Sequence, residues 1–487
     1  MSLKAAAIQG VKWTALSSIL IIGLQFVQIS VVSKLLGPAS FGLMGMVMVV
    51  IGFAQAFSDM GLSSAIIQRK DLTREQLSSL YWLNLISGFA VFMIVLSIRP
   101  IIISFYRSPE LNELLIWASF IFLITPLGQQ FQMLFQKELR FNLISKVTIA
   151  AAIAGTTVTI AAAYSGYGAL SLVWGQLVNS SVASVSFACL GWRTWRPKAI
   201  FAFRHIKGFI GFGLYRTGEY TVTYFNNNLD NIIIGRLLGA EALGYYTIAY
   251  NLVIIPLAKI NPIINRVAFP VFSQVQDDTE RLKRGYFQTL RAIGLINFPI
   301  YLGMAVVSPT LVMVLFGEGW TSSILILQVL CGVGMLRCIA NPAGSLVLAK
   351  GRAELSFKYN LAKTVIQIPC IWLGAWTAGL VGAAVSFLLL KIVYFFVNYL
   401  VVIRGMLGPC FRSFVSCFTA AFAMSTVMAG MTWLTGSYLP VHSNVLMLGV
   451  QVTVGAIIYL ALNIMFRKQS VDLLRRPAVQ AAQSNES

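Results

Sequence analysis

The chain has 487 residues, 57% hydrophobic and only 11% charged, far below the roughly 25% charge of an ordinary soluble domain. Its apolar residues run in long stretches with short polar breaks, so it reads as an integral membrane protein with no segment left for a soluble catalytic domain. The net charge of +20 would suggest a nucleic-acid partner in a soluble protein; here its meaning depends on which side of the membrane the cations lie.

A spanning helix needs about 20 apolar residues. Fourteen segments meet that length, beginning near Trp13, Phe41, Leu77, Asn112, Ser145, Gly168, Lys207, Leu243, Tyr286, Thr321, Ser356, Val381, Arg412 and Asn444. The first, behind Lys4 and Lys12, contains Gln25 and Gln28 and has no small-residue cleavage site, so it is expected to be retained as a helix and not removed as a signal peptide. Thr14, Ser18, Ile21, Gln25 and Gln28 fall at spacings of four and three on one face of it. An even number of segments puts both termini on one side. The breaks on that side and the two terminal segments hold 26 Lys and Arg, while the opposite breaks hold four, Lys34, Arg99, Arg107 and Arg236. The positive-inside rule makes the termini cytoplasmic. That bias accounts for most of the charge through orientation and contact with anionic membrane lipids, without nucleic acid.

The chain also repeats itself at an offset of 202. LLGPASFGLM (35–44) aligns without gaps with LLGAEALGYY (237–246), and Lys34 falls on Arg236. Six helices separate the copies, so they point the same way, as in parallel-repeat transporters. A chance match of turn-like LLG sequences is the weaker account, because the helix order repeats as well. The expected architecture is all-α: a six-helix lobe at 1–197, a second at 198–404, an appended helix pair at 405–466 and a polar tail at 467–487. Adding 202 to the polar face of the first helix gives Arg216, Tyr220, Thr223, Asn227 and Asp230 on the seventh, with Glu219 nearby. Equivalent polar faces suit a shared cavity; the alternative is helix interfaces joined by amides.

Six cations fall inside expected helices: Arg216, Lys259, Arg266, Arg337, Lys363 and Lys391. Each costs about 2.5–3.5 kcal/mol at the bilayer centre, and only Asp59, Glu219 and Asp230 are there to offset them. Arg266 and Lys363 lie near enough to helix ends to snorkel, and Arg216 can pair with Glu219 three residues on. Lys259, Arg337 and Lys391 are too deep for that, and a water-filled cavity attracting anions explains them better. Asp230 is expected near the periplasmic end, ionised by solvent. The six cysteines show no CxxC spacing, so disulfides and metals are not expected, nor is a cofactor. No G-x-x-x-x-G-K-[ST] is present. His205 and His442 fall in expected loops without triad partners, and the outward loops are short.

Several stretches are distinctive: MSLKAAAIQGVKWTA at the start, SDMGLSSAIIQRK after the second helix, NNNLDNIIIGRLLGAEALGYYTIAYN, NPIINRVAFPVFSQVQDDTE, and LQVLCGVGMLRCIANPAGSLVLAKGRAELSFKYN. Over about residues 1–410 the chain resembles the Wzx-type polysaccharide exporters of the MATE-like flippase superfamily. The resemblance implies two six-helix bundles around a V-shaped cavity and alternating access. It further implies movement of an undecaprenyl-diphosphate-linked oligosaccharide across the bacterial inner membrane, with cavity cations contacting the diphosphate. On this reading Arg216, Lys259, Arg266, Arg337, Lys363 and Lys391 serve the diphosphate, and Gln25, Gln28, Thr223, Asn227, Tyr250 and Asn251 serve the sugars. Asp59, Glu219 and Asp230 are the candidates for proton or sodium coupling, Asp59 first. A polysaccharide polymerase and co-polymerase are the implied protein partners. The first helix has Thr14, Ser18, Gln25 and Gln28 where other superfamily members often carry cations, which argues against a phosphate role for the first lobe. The rival reading is a cation-coupled drug or metabolite antiporter of the same superfamily, disfavoured by a cationic interior. A membrane polymerase or ligase lacks the external loop it would need.

Overall fold

The computed structural model describes residues 3–59, 66, 72–439 and 443–465; the tail at 467–487 and most of the segment after the second helix lie outside them. Among the described residues the regular structure is all helical. The helices are α1 (Leu3–Leu35), α2 (Pro38–Asp59), α3 (Arg74–Tyr106), α4 (Leu111–Ser119), α5 (Ile121–Lys137), α6 (Phe141–Tyr164), α7 (Leu170–Gly191) and α8 (Phe203–Gln274), followed by α9 (Thr279–Leu315), α10 (Ser322–Ala349), α11 (Ala353–Asn398), α12 (Phe411–Tyr438) and α13 (Asn444–Met465). α11 runs on through a π-helical turn, Tyr399–Ile403, into Arg404–Leu407. Several starts are set by side chains. Thr73 and Gln76 form a reciprocal capping box at α3, and Asp278 accepts from the Arg281 N–H at α9, satisfying amides that the helix leaves open. His205, expected in a loop, lies in the first turn of α8; His442 is outside the described residues.

Twelve helical stretches among the described residues are long and apolar enough to cross a membrane, against the fourteen segments expected. The difference lies in two of them. Tyr220–Pro262 and Lys358–Leu407 have 43 and 50 residues, or about 65 and 75 Å at 1.5 Å per residue, more than twice the roughly 30 Å hydrocarbon core. Both contain a break at a glycine with positive φ, Gly239 (φ 84°) in α8 and Gly379 (φ 58°) in α11, a conformation open to glycine because it has no Cβ. At Gly379 the chain turns back on itself. The Tyr394 hydroxyl donates to the Lys363 carbonyl at 2.6 Å, although a continuous helix would hold those residues about 46 Å apart. A Cβ at Gly382 would strike the Gly374 carbonyl, so the two halves of the hairpin touch backbone to backbone.

Packing divides the chain into two compact units, Met1–Gly244 and Tyr245–Ser487. The first has a core of Leu80, Tyr81, Phe131, Phe135, Phe187 and Trp195, with Tyr81 edge-on to both Phe131 and Trp195. Lipid tails are as apolar as leucine, so close approach through small residues has to supply much of the association. A Cβ at Gly175 of α7 would overlap the Thr159 hydroxyl of α6. The second unit is built around Phe272, Tyr286, Leu290, Phe298, Leu346 and Phe414.

The repeated segments meet inside the first unit. A Cβ at Gly42 would overlap the Ala240 carbonyl, and one at Gly244 would overlap the Pro38 carbonyl. Pro38 and Ala240, like Gly42 and Gly244, are 202 apart, so each copy touches the other through equivalent residues. That reciprocity is the mark of a two-fold, self-complementary contact.

Candidate functional site

The intramembrane cations with described side chains lie in the second unit. Arg337, half-buried on α10, donates from Nη1 to the Tyr250 hydroxyl at 2.7 Å, with its guanidinium carbon 5.9 Å from the Tyr250 ring centre. Tyr250 stacks in turn on the fully buried Tyr246, the ring centres 5.8 Å apart and the planes within 20°. The phenol fixes one edge of a planar, five-donor group whose fork matches phosphate oxygens. Tyr250, expected to face sugar, therefore also orients the arginine.

Arg337, Asn341 and Ser345 recur every four residues on one face of α10. Asn341 and Ser345 line a groove of about 750 Å³ with Leu257, Ala258, Asn261 and Pro262 of α8, so Arg337 stands one helical turn from its wall. Lys259, next to the lining residue Ala258, is exposed, as is Asn251. Asn261 is buried and accepts from Asn297. Asn341 and Ser345 are not among the residues expected from the sequence, although the four-residue spacing from Arg337 signals them; Asn261, on α8, is not among them either and carries no such signal.

The α11 hairpin brings together two lysines 28 positions apart. Lys363 Nζ lies 3.8 Å from the Tyr359 ring centre and 5.8 Å from that of Tyr394. Lys391 Nζ lies 4.4 Å from Phe387 and 5.4 Å from the same Tyr394 ring. Each ring face contributes about 0.5–2 kcal/mol to holding its ammonium. Sharing one ring, the two charges can be no more than about 11 Å apart, a repulsion of at least about 1.5 kcal/mol at an effective dielectric of 20.

In the first unit, Gln28 is clasped by α6: its amide donates to Thr159 at 3.3 Å and accepts from Thr156 at 3.1 Å, the interhelical arrangement that stood as the alternative to sugar contact. Gln25, Thr223 and Asn227 are exposed. Gln28→Leu is expected to cost about 1 kcal/mol in thermal unfolding, the scale of intramembrane hydrogen bonds, and to leave transport within twofold of wild type. Asp59 accepts from the Gln129 amide at 2.6 Å. Asp230 corrects an expectation: it is 1% exposed and accepts from the Asn231 N–H. Its distance along the helix suggested solvent, but its face points into the packing of the unit. The side chains of Arg216, Glu219 and Arg266 lie outside the described residues. Within those described, no group of three or more His, Cys, Asp or Glu is arranged to hold a metal ion.

A family model described as polysaccharide biosynthesis protein matches residues 31–325. The lipopolysaccharide biosynthesis protein WzxC of Escherichia coli K12 is 39% identical over 425 residues, 87% of this chain and 86% of the relative. The teichuronic acid biosynthesis protein TuaB of Bacillus subtilis 168 is 34% identical over 98% of this chain and 99% of its own length. Among solved structures, the lipid II flippase MurJ in an inward closed conformation superposes with a TM-score of 0.77 over 95% of this chain and 99% of that one. At 15% identity that likeness speaks for the fold alone.

Proposed function

The chain belongs to the polysaccharide biosynthesis protein family, and from that premise we propose that it is a flippase for undecaprenyl-diphosphate-linked oligosaccharide repeat units. It moves them by alternating access from the cytoplasmic to the periplasmic leaflet of a bacterial inner membrane, for an exopolysaccharide, capsule or related surface glycan. It is a transporter and makes or breaks no bond in its cargo. The observation that carries this reading is the set of cations held inside apolar helices by aromatic partners, Arg337 on Tyr250 and the Lys363–Lys391 pair about Tyr394. Such groups are costly in a bilayer, and a diphosphate headgroup is the anion that offsets the cost. Lys259, and by their position in the sequence Arg216 and Arg266, are the further basic residues assigned to the diphosphate, while Gln25, Thr223, Asn227 and Asn251 are the polar residues assigned to sugar. Deleting the gene should remove a surface polysaccharide and accumulate its lipid-linked precursor. An unchanged precursor pool and unchanged surface polymer would refute the flippase reading.

The topology that fits has fourteen crossings and cytoplasmic termini, with repeats at 1–197 and 198–404, a helix pair at 405–466 and a polar tail at 467–487. A cysteine placed between Arg193 and Arg204 is expected to resist an impermeant thiol reagent applied from outside; labelling there would reverse the orientation. The exported unit passes to a polymerase and co-polymerase.

A proton or sodium ion drives the cycle through Asp59, with Glu219 and Asp230 as the other candidate acids. Asp59→Asn keeps an oxygen for Gln129 to donate to and removes only the charge. In proteoliposomes it should weaken the dependence of transport on a pH gradient at least threefold while substrate still binds. An unaltered pH-gradient response would take Asp59 out of the mechanism.

A further inference from the structure

A second cavity, of about 460 Å³, opens in the first unit where the start of α2, the α3–α4 turn and the α6–α7 turn converge. Its polar lining comes from Ser40, Glu110, Asn112, Glu113 and Tyr167. In a chain with 36 Lys and Arg against 16 acids, this lining holds two carboxylates and neither Lys nor Arg. All three segments lie at the end assigned above to the periplasm.

The turns that build it are locked by their backbones. Arg107 closes α3 in the left-handed region, and the next turn is held by Leu111 N–H to Ser108 and Asn112 N–H to Pro109. Gly166 and Gly168, both at positive φ, bracket Tyr167, whose N–H bonds back to the Ala162 carbonyl and whose carbonyl accepts from Leu170. The Tyr167 ring is half exposed and rests 4.7 Å from Trp174, itself edge-on to Trp117 at 6.0 Å. The result is a preformed pocket with a braced aromatic face on one side and planar acceptors on the others, within the volume range of small-ligand sites.

Three classes of ligand can be compared with this lining. A diphosphate or a uronic acid would meet two carboxylates and no counter-charge. A bare divalent cation needs six or more oxygens at about 2.0–2.6 Å, and a space of 460 Å³ with two carboxylates is too open to supply them. A neutral sugar fits: its vicinal hydroxyls donate to Glu110, Glu113 and the Asn112 carbonyl oxygen, while its apolar C–H face lies on the Tyr167 ring. We propose that this cavity is a periplasmic binding site for neutral sugar residues of the translocated glycan, separate from the cationic groups that take the diphosphate. Repelling the phosphate while holding the sugar favours departure of the headgroup from the protein. The proposal rests on the flippase reading only for how the glycan arrives.

The probe is the neutral oligosaccharide fraction released by partial acid hydrolysis from the host's surface polysaccharides, titrated onto the full-length protein in lipid nanodiscs and followed by saturation-transfer NMR. Binding is expected to weaken at least tenfold in Tyr167→Ala and at least fivefold in Glu110→Gln/Glu113→Gln, and to stay within twofold in Tyr167→Phe, which keeps the ring and the fold. No binding by any fraction, or equal binding by all variants, overturns the site. Carboxylate-dependent binding of magnesium chloride with no binding of sugar also overturns it, making this an ion site. Precursor accumulation in the deletion strain is scored separately, so failure of the flippase reading is distinguishable from failure of this one.

Discussion

Arg337→Ala is expected to cut export at least tenfold and to lower stability by about 1–3 kcal/mol, because both effects originate in one hydrogen bond. The guanidinium is bonded to the Tyr250 hydroxyl, so truncation leaves a half-buried phenol short of its donor, a loss of that size. A bare buried charge would behave in the opposite way, its removal relieving desolvation and leaving stability level or higher. The contrast can be drawn within this protein. Lys363 lies over the rings of Tyr359 and Tyr394 and shares the latter with Lys391, so Lys363→Met should keep or raise the unfolding temperature while export falls. Arg337→Lys restores charge but offers a compact ammonium where a planar fork stood, and should recover no more than a third of wild-type export. Tyr250→Phe keeps the ring and removes the acceptor; it should lose about 1 kcal/mol and a smaller share of transport. Surface polysaccharide per cell and thermal unfolding of purified protein measure the two quantities. Should Arg337→Ala export normally once expression is matched, the arginine is a structural partner of Tyr250 and the phosphate role is lost.

The helices were legible because apolar length is a property of consecutive residues. The expected start near Asn444 coincides with that of α13, and those near Thr321 and Arg412 fall within one residue of α10 and α12. Gly239 and Gly379 fall where neighbouring segments were separated, although helical hydrogen bonding runs on almost to the glycine on either side. The pairing of Lys363 with Lys391 was not legible, since it depends on how far the two halves of the α11 hairpin slide past each other, which is set by packing at Gly374 and Gly382. Depth was a poor guide to environment. Asp230 was placed by counting along its helix, and its burial follows from the direction it faces. Gln28 shared a polar stripe with Gln25, yet one is clasped between helices and the other is open, because a stripe wider than one contact cannot face one neighbour throughout.

The repeat at an offset of 202 carries the second large expectation. Gly42→Ala and Gly244→Ala should each cost about 2–3 kcal/mol and remove most export, since the added methyl meets the backbone carbonyl of Ala240 or of Pro38. A crowded side chain can change rotamer; a helix-end carbonyl moves only with its helix, which puts these changes at the upper part of the usual overpacking range of about 1–3 kcal/mol. Gly430→Ala is the control. It lies within α12 with no atom within 4 Å of the new Cβ, and should be neutral or stabilising by about 0.5–1 kcal/mol through helix propensity. The double variant is the sharper test. Because the two glycines are equivalent halves of one self-complementary contact, either methyl alone forces the segments apart, and the second then enters space already opened. Gly42→Ala/Gly244→Ala should therefore cost little more than either single change, with a coupling of about 2 kcal/mol, well outside the 0.3–0.5 kcal/mol within which distant sites add. Strict additivity in chemical or thermal unfolding would mean that the two positions meet separate neighbours, and the reciprocal contact between the repeats would have to be abandoned.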